Sequence, residues 1–257
     1  MKPLQGKTVI VTGASKGIGA AIATSMVSAG ARLIAHYGGD RAGAEAATAG
    51  AEAGQVELLQ ADFHDMKAVD RFWAASRAAS GGQIDVLVNN AGIMRQTGGI
   101  PDPIEEWEAV WAETMNVNVH APARLLRHAV QDWLAAEQPG AIIGIGSWVT
   151  TRGSSNPRAI AYAASKAAIT AATKTVARNY AEKGILAYVV APGVVRTQMS
   201  VESSATIGGE AAVTAGLPMG EWVPPSDIGA LCAFLAEGRA RHLTGTTIDI
   251  NGAAYIR

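Results

Sequence analysis

Short apolar runs alternate along the whole chain with longer segments that have a helical period. The apolar runs predict seven strands, at Thr8–Thr12, Arg32–Tyr37, Val56–Gln60, Val86–Asn89, Ala141–Gly146, Leu186–Ala191 and Thr246–Ile250. Strands that are apolar throughout and separated by helices form parallel sheets that are covered on both faces. The pattern therefore predicts the α/β class, with a doubly wound, seven-stranded parallel sheet of Rossmann type.

Apolar residues at helical spacing predict the segments between these strands. The predicted helices are Gly17–Ser28, Arg41–Ala53, Met66–Ser80, Trp107–Glu137, Asn156–Lys183 and Ser226–Ala236. Ser226 follows two prolines and is the expected N-cap of the last helix.

The segment 197–224 interrupts this alternation and contains Gly208, Gly209, Gly216 and Pro218. It is too long for an ordinary connection, and it follows the carboxyl end of a strand, where such sheets bind ligands. We therefore expect a substrate lid at 197–224, and a disordered surface insertion is the alternative.

Composition limits the classes of partner. The 257 residues fit one domain, 1–257, and the formal net charge of −1 provides no general attraction for nucleic acid or anionic membranes. Cys232 is the only cysteine, so no intrachain disulfide can form, and the five histidines have no paired metal-ligand spacing. No apolar stretch approaches the ~20 residues of a membrane span, and the N-terminus lacks a signal-type apolar region. We expect a cytoplasmic protein without a metal, a membrane or a nucleic-acid partner.

Gly13, Gly17 and Gly19 lie between the first predicted strand and its helix. A nucleotide pyrophosphate can rest on backbone amides only where side chains are absent and the backbone approaches closely. The G-x-x-x-G-x-G spacing differs from the commonest dinucleotide fingerprint, and a tight turn without a ligand is the alternative. We expect this turn to bind a dinucleotide.

Tyr162 and Lys166 are four residues apart on a predicted helix, so their side chains lie on one face of it. By itself such a pair is weak evidence for a catalytic site, because both residue types are common in helices. It gains meaning from Ser147, which follows an apolar run, and from Asn89-Asn90-Ala91-Gly92, which closes another. Together with the glycine-rich turn, these residues indicate the active site of a nicotinamide-dependent enzyme.

The order of these motifs resembles that of the short-chain dehydrogenase/reductases over essentially the whole chain. The motifs are Thr12-Gly-Ala-Ser-Lys-Gly-Ile-Gly19, Asp62, Asn89-Asn-Ala-Gly92, Asn118, Ser147, Tyr162-x-x-x-Lys166 and Pro192-Gly193. The chain is similar to the members that act on 3-oxoacyl thioesters, sugars or alcohols. The resemblance implies an oxidoreductase that interconverts a secondary alcohol and a ketone or aldehyde with a nicotinamide cofactor.

The resemblance also implies the catalytic residues. A carbonyl that receives hydride becomes an alkoxide and needs a proton donor, which would be Tyr162. Lys166 would lower the tyrosine pKa, ordinarily about 10, and would hold the nicotinamide ribose. Ser147 would bind the substrate oxygen. Asn118 would hold a water that relays protons to the lysine, and Asn116 is the alternative.

The cofactor contacts follow from the same resemblance. They are Gly13, Ser15, Lys16, Gly17, Ile18, Gly19, Tyr37, Arg41, Asp62, Phe63, Asn90, Ala91, Gly92, Tyr162, Lys166, Pro192, Gly193, Val195 and Thr197. Asp62 would bind the adenine amino group, and Pro192-Gly193 with Thr197 would hold the nicotinamide carboxamide and a phosphate. Asn89 is expected to tie strands together.

Cofactor choice depends on the end of the second strand, where an acidic residue would bind the 2′-hydroxyl of NAD(H). This chain has Tyr37 there, and Lys16 and Arg41 are available for the 2′-phosphate of NADP(H). NADP(H) is therefore favoured. NAD(H) remains possible if the Asp40 carboxylate enters the pocket.

The substrate is expected to contact Met94, Trp148, Arg158 and Met199, which lie in segments that flank the pocket in the family. The arginines at positions 95, 152 and 158 suggest a polar or anionic substrate, although solvated surface arginines are the alternative. A small-molecule carbonyl or alcohol is the only partner expected besides further copies of the chain.

The family usually forms homotetramers or homodimers through two long helices, and the alanine-rich Ala161–Ala177 is compatible with such an interface. Ordinary burial against the sheet is the alternative. Two rival functions stay open: a dinucleotide-sensing regulator without chemistry, and a dehydratase or epimerase on the same fold.

Overall fold

The computed structural model describes residues 2–256 and contains one seven-stranded sheet in which all neighbouring strands are parallel. The strands are β1 (Thr8–Val11), β2 (Arg32–Tyr37), β3 (Val56–Gln60), β4 (Val86–Asn89), β5 (Gly140–Ile145), β6 (Ile185–Pro192) and β7 (Thr247–Ile250). Their order in the sheet is β3-β2-β1-β4-β5-β6-β7. The predicted fold class and strand count are confirmed.

Helices cover both faces of the sheet. They are α1 (Gly17–Ser28), α2 (Arg41–Ala47), α3 (Met66–Ala79), α4 (Ile104–Met115), α5 (Ala121–Ala135), α6 (Val149–Arg152), α7 (Ile160–Tyr180), α8 (Gln198–Ser204), α9 (Gly209–Ala215) and α10 (Pro225–Glu237). One apolar core lies between the sheet and α1 with α10, and the other lies between the sheet and α3, α5 and α7. Two cores explain why the strands are apolar on both faces.

The direction of winding reverses between β1 and β4. Val9 pairs with Val86 and Val11 with Val88, while the other edge of β1 pairs with β2. At such a switch point the connections leave toward opposite faces, so a crevice forms beyond the carboxyl ends of the strands. The glycine-rich turn after β1 and the Asn89–Gly92 segment after β4 both lie at this crevice.

Two helix boundaries differ from the sequence prediction by four residues or more. Helix α2 ends at Ala47 rather than Ala53, and the Thr48 hydroxyl donates to the Ala44 carbonyl at 2.9 Å where the helix stops. Helix α7 begins at Ile160 rather than Asn156, because the Asn156 side chain accepts the Arg158 amide in a turn and Pro157 disfavours helix before it.

The capping prediction at Ser226 is wrong. Helix α10 begins at Pro225, one residue before the predicted start, and its N-cap is Pro224, which has no side-chain bond to the helix. Proline fits the first helical turn because its missing N–H would have no partner there.

The long middle helix is not regular. Between α4 and α5 the backbone forms a π-helical turn, Asn116–His120. Such turns are uncommon and often occur at functional sites, because the irregular backbone turns a side chain away from the regular helical register.

The 197–224 segment is largely helical. It contains α8 and α9, and it leaves and rejoins the fold where Val195 pairs with Val223. Trp222 is buried, and its indole Nε1 donates to the Thr214 hydroxyl at 2.8 Å. Among residues 2–256, no helix is long and apolar enough to cross a bilayer.

Candidate active site

A cavity of about 890 Å³ opens at the crevice beyond the carboxyl ends of the strands. It is lined by segments that follow β1 to β6, so residues that are distant in the sequence converge on it. Of the expected cofactor contacts, the structure brings together Gly13, Ser15, Lys16, Gly17, Ile18, Gly19, Asp62, Phe63, Asn90, Ala91, Gly92, Tyr162, Lys166, Pro192, Gly193, Val195 and Thr197.

The glycine-rich turn requires glycine for steric reasons. Gly13 and Gly17 have φ of +68° and +56°, which side-chain-bearing residues rarely adopt, and a Cβ at Gly19 would clash with the Gly13 carbonyl oxygen. The side-chain Nδ2 of Asn90 donates to the Thr12 carbonyl at 2.8 Å, and the backbone N–H of Asn90 donates to the Thr12 hydroxyl at 2.9 Å. Asn90 thus contributes to the site by fixing this turn as well as by lining the cavity.

His36 lines the cavity and was not among the expected site residues. Its Nδ1 accepts the Gly13 amide at 3.0 Å, its Nε2 lies 3.0 Å from the Ala61 carbonyl, and its ring stacks on Phe63. Burial lowers the pKa of His36 to about 4, and the neutral ring with the proton on Nε2 satisfies both bonds. The signal in the sequence is a polar residue inside an apolar strand.

Tyr162, Lys166 and Ser147 meet at the inner end of the same cavity. Tyr162 and Ser147 share a side-chain hydrogen bond, and Lys166 Nζ lies 5.9 Å from the centre of the Tyr162 ring. Lys166 is buried, and its ammonium donates to the Ile145 carbonyl at 2.9 Å.

The two pKa values at this end of the cavity are set mainly by burial. Burial raises the pKa of Tyr162, and the hydrogen bond with Ser147 opposes that rise. The expected lowering of the Tyr162 pKa by the Lys166 ammonium is not among these effects. Burial lowers the pKa of Lys166 to about 8, so the amine is still mostly protonated near neutral pH but loses its charge in mildly alkaline solution.

Asn118 lies in the π-helical turn and is buried. Its Oδ1 accepts the Ile93 amide at 2.8 Å, and its Nδ2 donates to the Ile93 carbonyl at 2.8 Å and to Ser165 Oγ at 3.0 Å. A Cβ placed on Gly92 would lie 3.2 Å from Asn118 Oδ1 and 3.4 Å from Lys166 Nζ. Gly92 therefore lies close to both Asn118 Oδ1 and Lys166 Nζ, and neither Asn118 nor the half-buried Asn116 lines the cavity.

At the far end of the cavity two expected contacts are missing. Tyr37 is buried outside the lining, and Arg41 is an exposed side chain whose Nε donates to Glu45 Oε1 at 2.8 Å. Lys16 and Asp40 do line the cavity there, and Asp40 Oδ1 accepts the Gly43 amide at 2.9 Å as the N-cap of α2. In the structure Arg41 pairs with Glu45 within α2 and does not line the cavity.

Asp62 lines the cavity, and His64 contacts it closely. His64 Nδ1 lies 2.7 Å from Asp62 Oδ1, and the His64 amide donates to the same oxygen at 2.9 Å. The pKa of Asp62 is lowered chiefly by that backbone hydrogen bond. The capping role at the start of α3 belongs to Asp65, which accepts the Lys67 amide, so Asp62 is not needed there.

A smaller cavity of about 150 Å³ adjoins Ser147 and Tyr162, and Met94, Trp148 and Met199 line it as expected for substrate contacts. Arg158 lines neither cavity, and its Nε lies 3.8 Å from Asp102 Oδ2. Its expected substrate contact is therefore not supported, because the ion pair directs the side chain elsewhere.

In the described range 2–256, no three His, Cys, Asp or Glu residues are grouped to hold a metal ion.

Comparisons with known proteins agree with this geometry. A family model described as enoyl-(acyl carrier protein) reductase matches residues 13–253. The chain is 36% identical to 3beta-hydroxysteroid dehydrogenase 1 of Eggerthella lenta over 257 residues, which cover 97% of this chain and 94% of that protein. It is 34% identical to a 3-oxoacyl-(acyl-carrier-protein) reductase of Haemophilus influenzae over 254 residues, 98% of this chain and 100% of the relative.

A solved structure gives the same result. The crystal structure of a dehydrogenase/reductase from Sinorhizobium meliloti 1021 superposes with a TM-score of 0.84 at 32% identity, covering 98% of this chain and 96% of that one. The matches span nearly all of each chain, and they agree with the motif order, the sheet order and the cavity. The chain belongs to the short-chain dehydrogenase/reductase family of nicotinamide-dependent oxidoreductases.

Proposed function

We propose that the protein interconverts a secondary alcohol and a ketone by hydride transfer, with Tyr162 as the acid and base. The observation that carries this proposal is the meeting of Tyr162, Ser147 and Lys166 at one end of a cavity whose other end is the glycine-rich turn. This arrangement supports the proposal because a carbonyl oxygen needs a proton donor when its carbon receives a hydride.

The residues that line the cavity fit a dinucleotide cofactor. The glycine positions leave the backbone open where a pyrophosphate would rest, and a Cβ at Gly193 would lie 2.7 Å from Asn251 Cβ, so that turn also excludes side chains. A volume of about 890 Å³ suits a large ligand. When bound, a nicotinamide would supply or accept the hydride.

Tyr162 supplies the proton. Burial raises its pKa, so the phenol is protonated at neutral pH and can donate to the alkoxide oxygen during reduction. The Ser147 hydroxyl stabilises the phenolate that remains and positions the substrate oxygen. The Lys166 ammonium, 5.9 Å from the tyrosine ring centre, adds positive charge beside that phenolate.

We assign Asn118 to positioning. Its amide group already bonds both backbone groups of Ile93 and the Ser165 hydroxyl, which fixes the segment after β4 and the helix that carries Lys166. A relay water near Lys166 would therefore bind backbone atoms rather than the Asn118 amide nitrogen.

We propose NADP(H) as the favoured cofactor, with NAD(H) as the alternative. Lys16 supports NADP(H), because it lines the adenosine end of the cavity and Tyr37 replaces the acid that NAD(H) would need. The Asp40 carboxylate supports NAD(H) only weakly, since one oxygen is engaged in capping α2.

The deciding experiment compares wild type with Tyr162→Phe. Wild type should consume reduced cofactor in proportion to ketone. The variant should lose about a hundredfold or more of kcat, which is typical for removal of a general acid, and should keep the cofactor Kd. Nicotinamide absorbance and fluorescence measure both quantities.

Three other results would contradict the proposal in different ways. Cofactor binding without net consumption, with any ketone, would indicate the sensing regulator. Product formation without net consumption would indicate a dehydratase or epimerase. Loss of cofactor binding in Tyr162→Phe would make the tyrosine structural.

We further propose that the 197–224 segment closes over the substrate, since Thr197, Gln198, Met199, Ser200 and Glu202 all line the larger cavity. The small-molecule partner is an alcohol or a carbonyl compound. The expected homotetramer or homodimer stays a prediction, and the alanine-rich outer surface of α7 is where it would form.

A further inference from the structure

The three arginines near the substrate end of the site differ in their partners. Arg95 Nε donates to Glu113 Oε2 at 2.6 Å, and Arg158 pairs with Asp102. Among the residues that the structure describes, no carboxylate lies within ion-pair distance of Arg152. The charge of Arg152 is therefore the one that is available to a ligand.

Arg152 is held in place by an aromatic ring. Its guanidinium carbon lies 4.5 Å from the centre of the Trp148 ring, across the single turn of α6. Stacking of this kind fixes the plane of the guanidinium and leaves its N–H donors at the edge free. Such a pre-oriented fork matches a carboxylate or a phosphate better than a mobile lysine would.

The cavity beside Arg152 is rich in donors. Arg152 is the single charged residue that lines it, and Ser147 and Tyr162 lie at its inner end. Asn156 donates from its backbone amide to Ser154 Oγ and from its Nδ2 to Ser203 Oγ, both at 3.1 Å. Each of these hydroxyls accepts a bond there and keeps its own proton to donate.

Apolar side chains occupy the remaining wall, with Met94, Val194 and Met199 among them. The volume of about 150 Å³ leaves room for a short carbon chain between the catalytic pair and the arginine. The cavity therefore combines an apolar middle with a cationic, donor-rich end.

We propose that the substrate carries an anionic group, a carboxylate or a phosphate, that Arg152 binds while the carbonyl lies against Ser147 and Tyr162. This inference rests on the oxidoreductase function proposed above. It assigns the substrate class as short keto acids or ketone phosphates and the corresponding hydroxy compounds. Arg152 is the residue that selects this class.

The test uses matched pairs of substrates with each reduced cofactor. Levulinate is compared with methyl levulinate, and dihydroxyacetone phosphate with dihydroxyacetone. Wild type should prefer one or both anionic members in kcat/KM by about ten- to a hundredfold, the value of a charge-assisted hydrogen bond. Arg152→Gln should remove that preference by raising KM for the anionic members.

Two variants sharpen the result. Arg152→Lys keeps the charge without the flat stacked fork and should retain only part of the preference. Arg178→Gln removes an exposed cation from the last turn of α7, away from the cavity, and should leave the preference intact. Ligand-observed NMR with levulinate and with inorganic phosphate gives a second readout, independent of turnover. Both signals should weaken in Arg152→Gln.

The outcomes separate the two proposals. If wild type turns over neutral and anionic members equally and Arg152→Gln changes neither, the substrate class is overturned while the oxidoreductase function stands. If no ketone is reduced, the proposed function fails. The NMR signal then decides whether Arg152 binds anions at all, and an unchanged signal in Arg152→Gln overturns the site.

Discussion

Lys166 is buried next to a tyrosine, and its ammonium bonds a carbonyl rather than a carboxylate. Burial lowers its pKa to about 8, and charged groups are seldom fully buried without a paired charge. The charged form of Lys166 is therefore destabilised even in the absence of a ligand. A strongly perturbed group in a cavity with a second titratable group is typical of a catalytic site rather than of a structural lysine.

At the same scale, the charge of Lys16 leads us to predict a preference for NADPH over NADH. Lys16→Gln should weaken NADPH binding by about ten- to a hundredfold, because a charge-assisted hydrogen bond to the 2′-phosphate would be lost. The NADH Kd should change by less than about threefold, since NADH has no such phosphate. Nicotinamide fluorescence titrations measure both constants.

Arg41→Gln is the informative comparison, because Arg41 is bound to Glu45 in the structure. A loss of NADPH affinity in Arg41→Gln equal to that in Lys16→Gln would show that Arg41 leaves Glu45 for the phosphate. Equal losses of NADPH and NADH affinity in Lys16→Gln would contradict 2′-phosphate recognition by Lys16.

At the scale of elements, two segments outside the regular alternation of strands and helices shape the site. The π-helical turn Asn116–His120 turns Asn118 toward Ile93 and Ser165. The 197–224 segment is anchored where Val195 pairs with Val223, and Trp222 ties the returning chain to α9. The 197–224 segment lines the cavity with its first residues, and the π-helical turn places Val117 in the lining.

Trp222→Ala should loosen the 197–224 segment without unfolding the sheet. The variant loses the indole bond to Thr214 and the stacking of Arg196, whose guanidinium carbon lies 5.1 Å from the ring centre. Hydrogen exchange should become faster in α8 and α9, and kcat/KM should fall by about ten- to a hundredfold through poorer substrate positioning.

Trp222→Phe keeps most of the packing but removes the N–H donor, so its effect should be intermediate. Faster exchange throughout the sheet in Trp222→Ala would show that Trp222 stabilises the whole fold. Unchanged exchange in α8 and α9 would contradict its anchoring role.

At the scale of the whole molecule, the sheet lies between two apolar cores. A polar side chain, His36, connects the loops that follow its strands. His36 links the end of β2 to the glycine-rich turn through Gly13 and to the end of β3 through Ala61. These links cross the carboxyl edge of the sheet, where the cofactor would bind. The stability of the fold and the shape of the site are therefore coupled through this residue.

His36 predicts a loss of stability in acid. Its folded-state pKa of about 4 lies below the unfolded value of 6.5, so the unfolded chain binds more protons between these pH values. The free energy of unfolding is fully retained above about pH 6.5 and should fall by about 3 kcal/mol by pH 4 through this residue alone. Urea unfolding at several pH values measures the change.

His36→Gln is the control, because its side chain can donate and accept hydrogen bonds but does not titrate. It should be less stable than wild type at pH 7, and its stability should depend less on pH between 4 and 6.5. An identical pH dependence in both proteins would assign the acid sensitivity to other groups.

The sequence by itself determined the fold and most of the site. Apolar runs separated by amphipathic segments require a parallel sheet covered on both faces, because each strand has two faces to bury. The spacing of Tyr162 and Lys166 determined that they share a face, because helical geometry is local. The glycine-rich turn could be recognised for the same reason, since the need for residues without side chains at Gly13, Gly17 and Gly19 is local.

Only the tertiary structure decided which distant side chains meet and which are already engaged. Arg158 looked available in the sequence, but Asp102 engages it. His36 was not among the expected site residues, yet it supports the glycine-rich turn. The physical reason is that charge pairing and hydrogen-bond satisfaction depend on through-space partners, and the order of residues along the chain does not specify these partners.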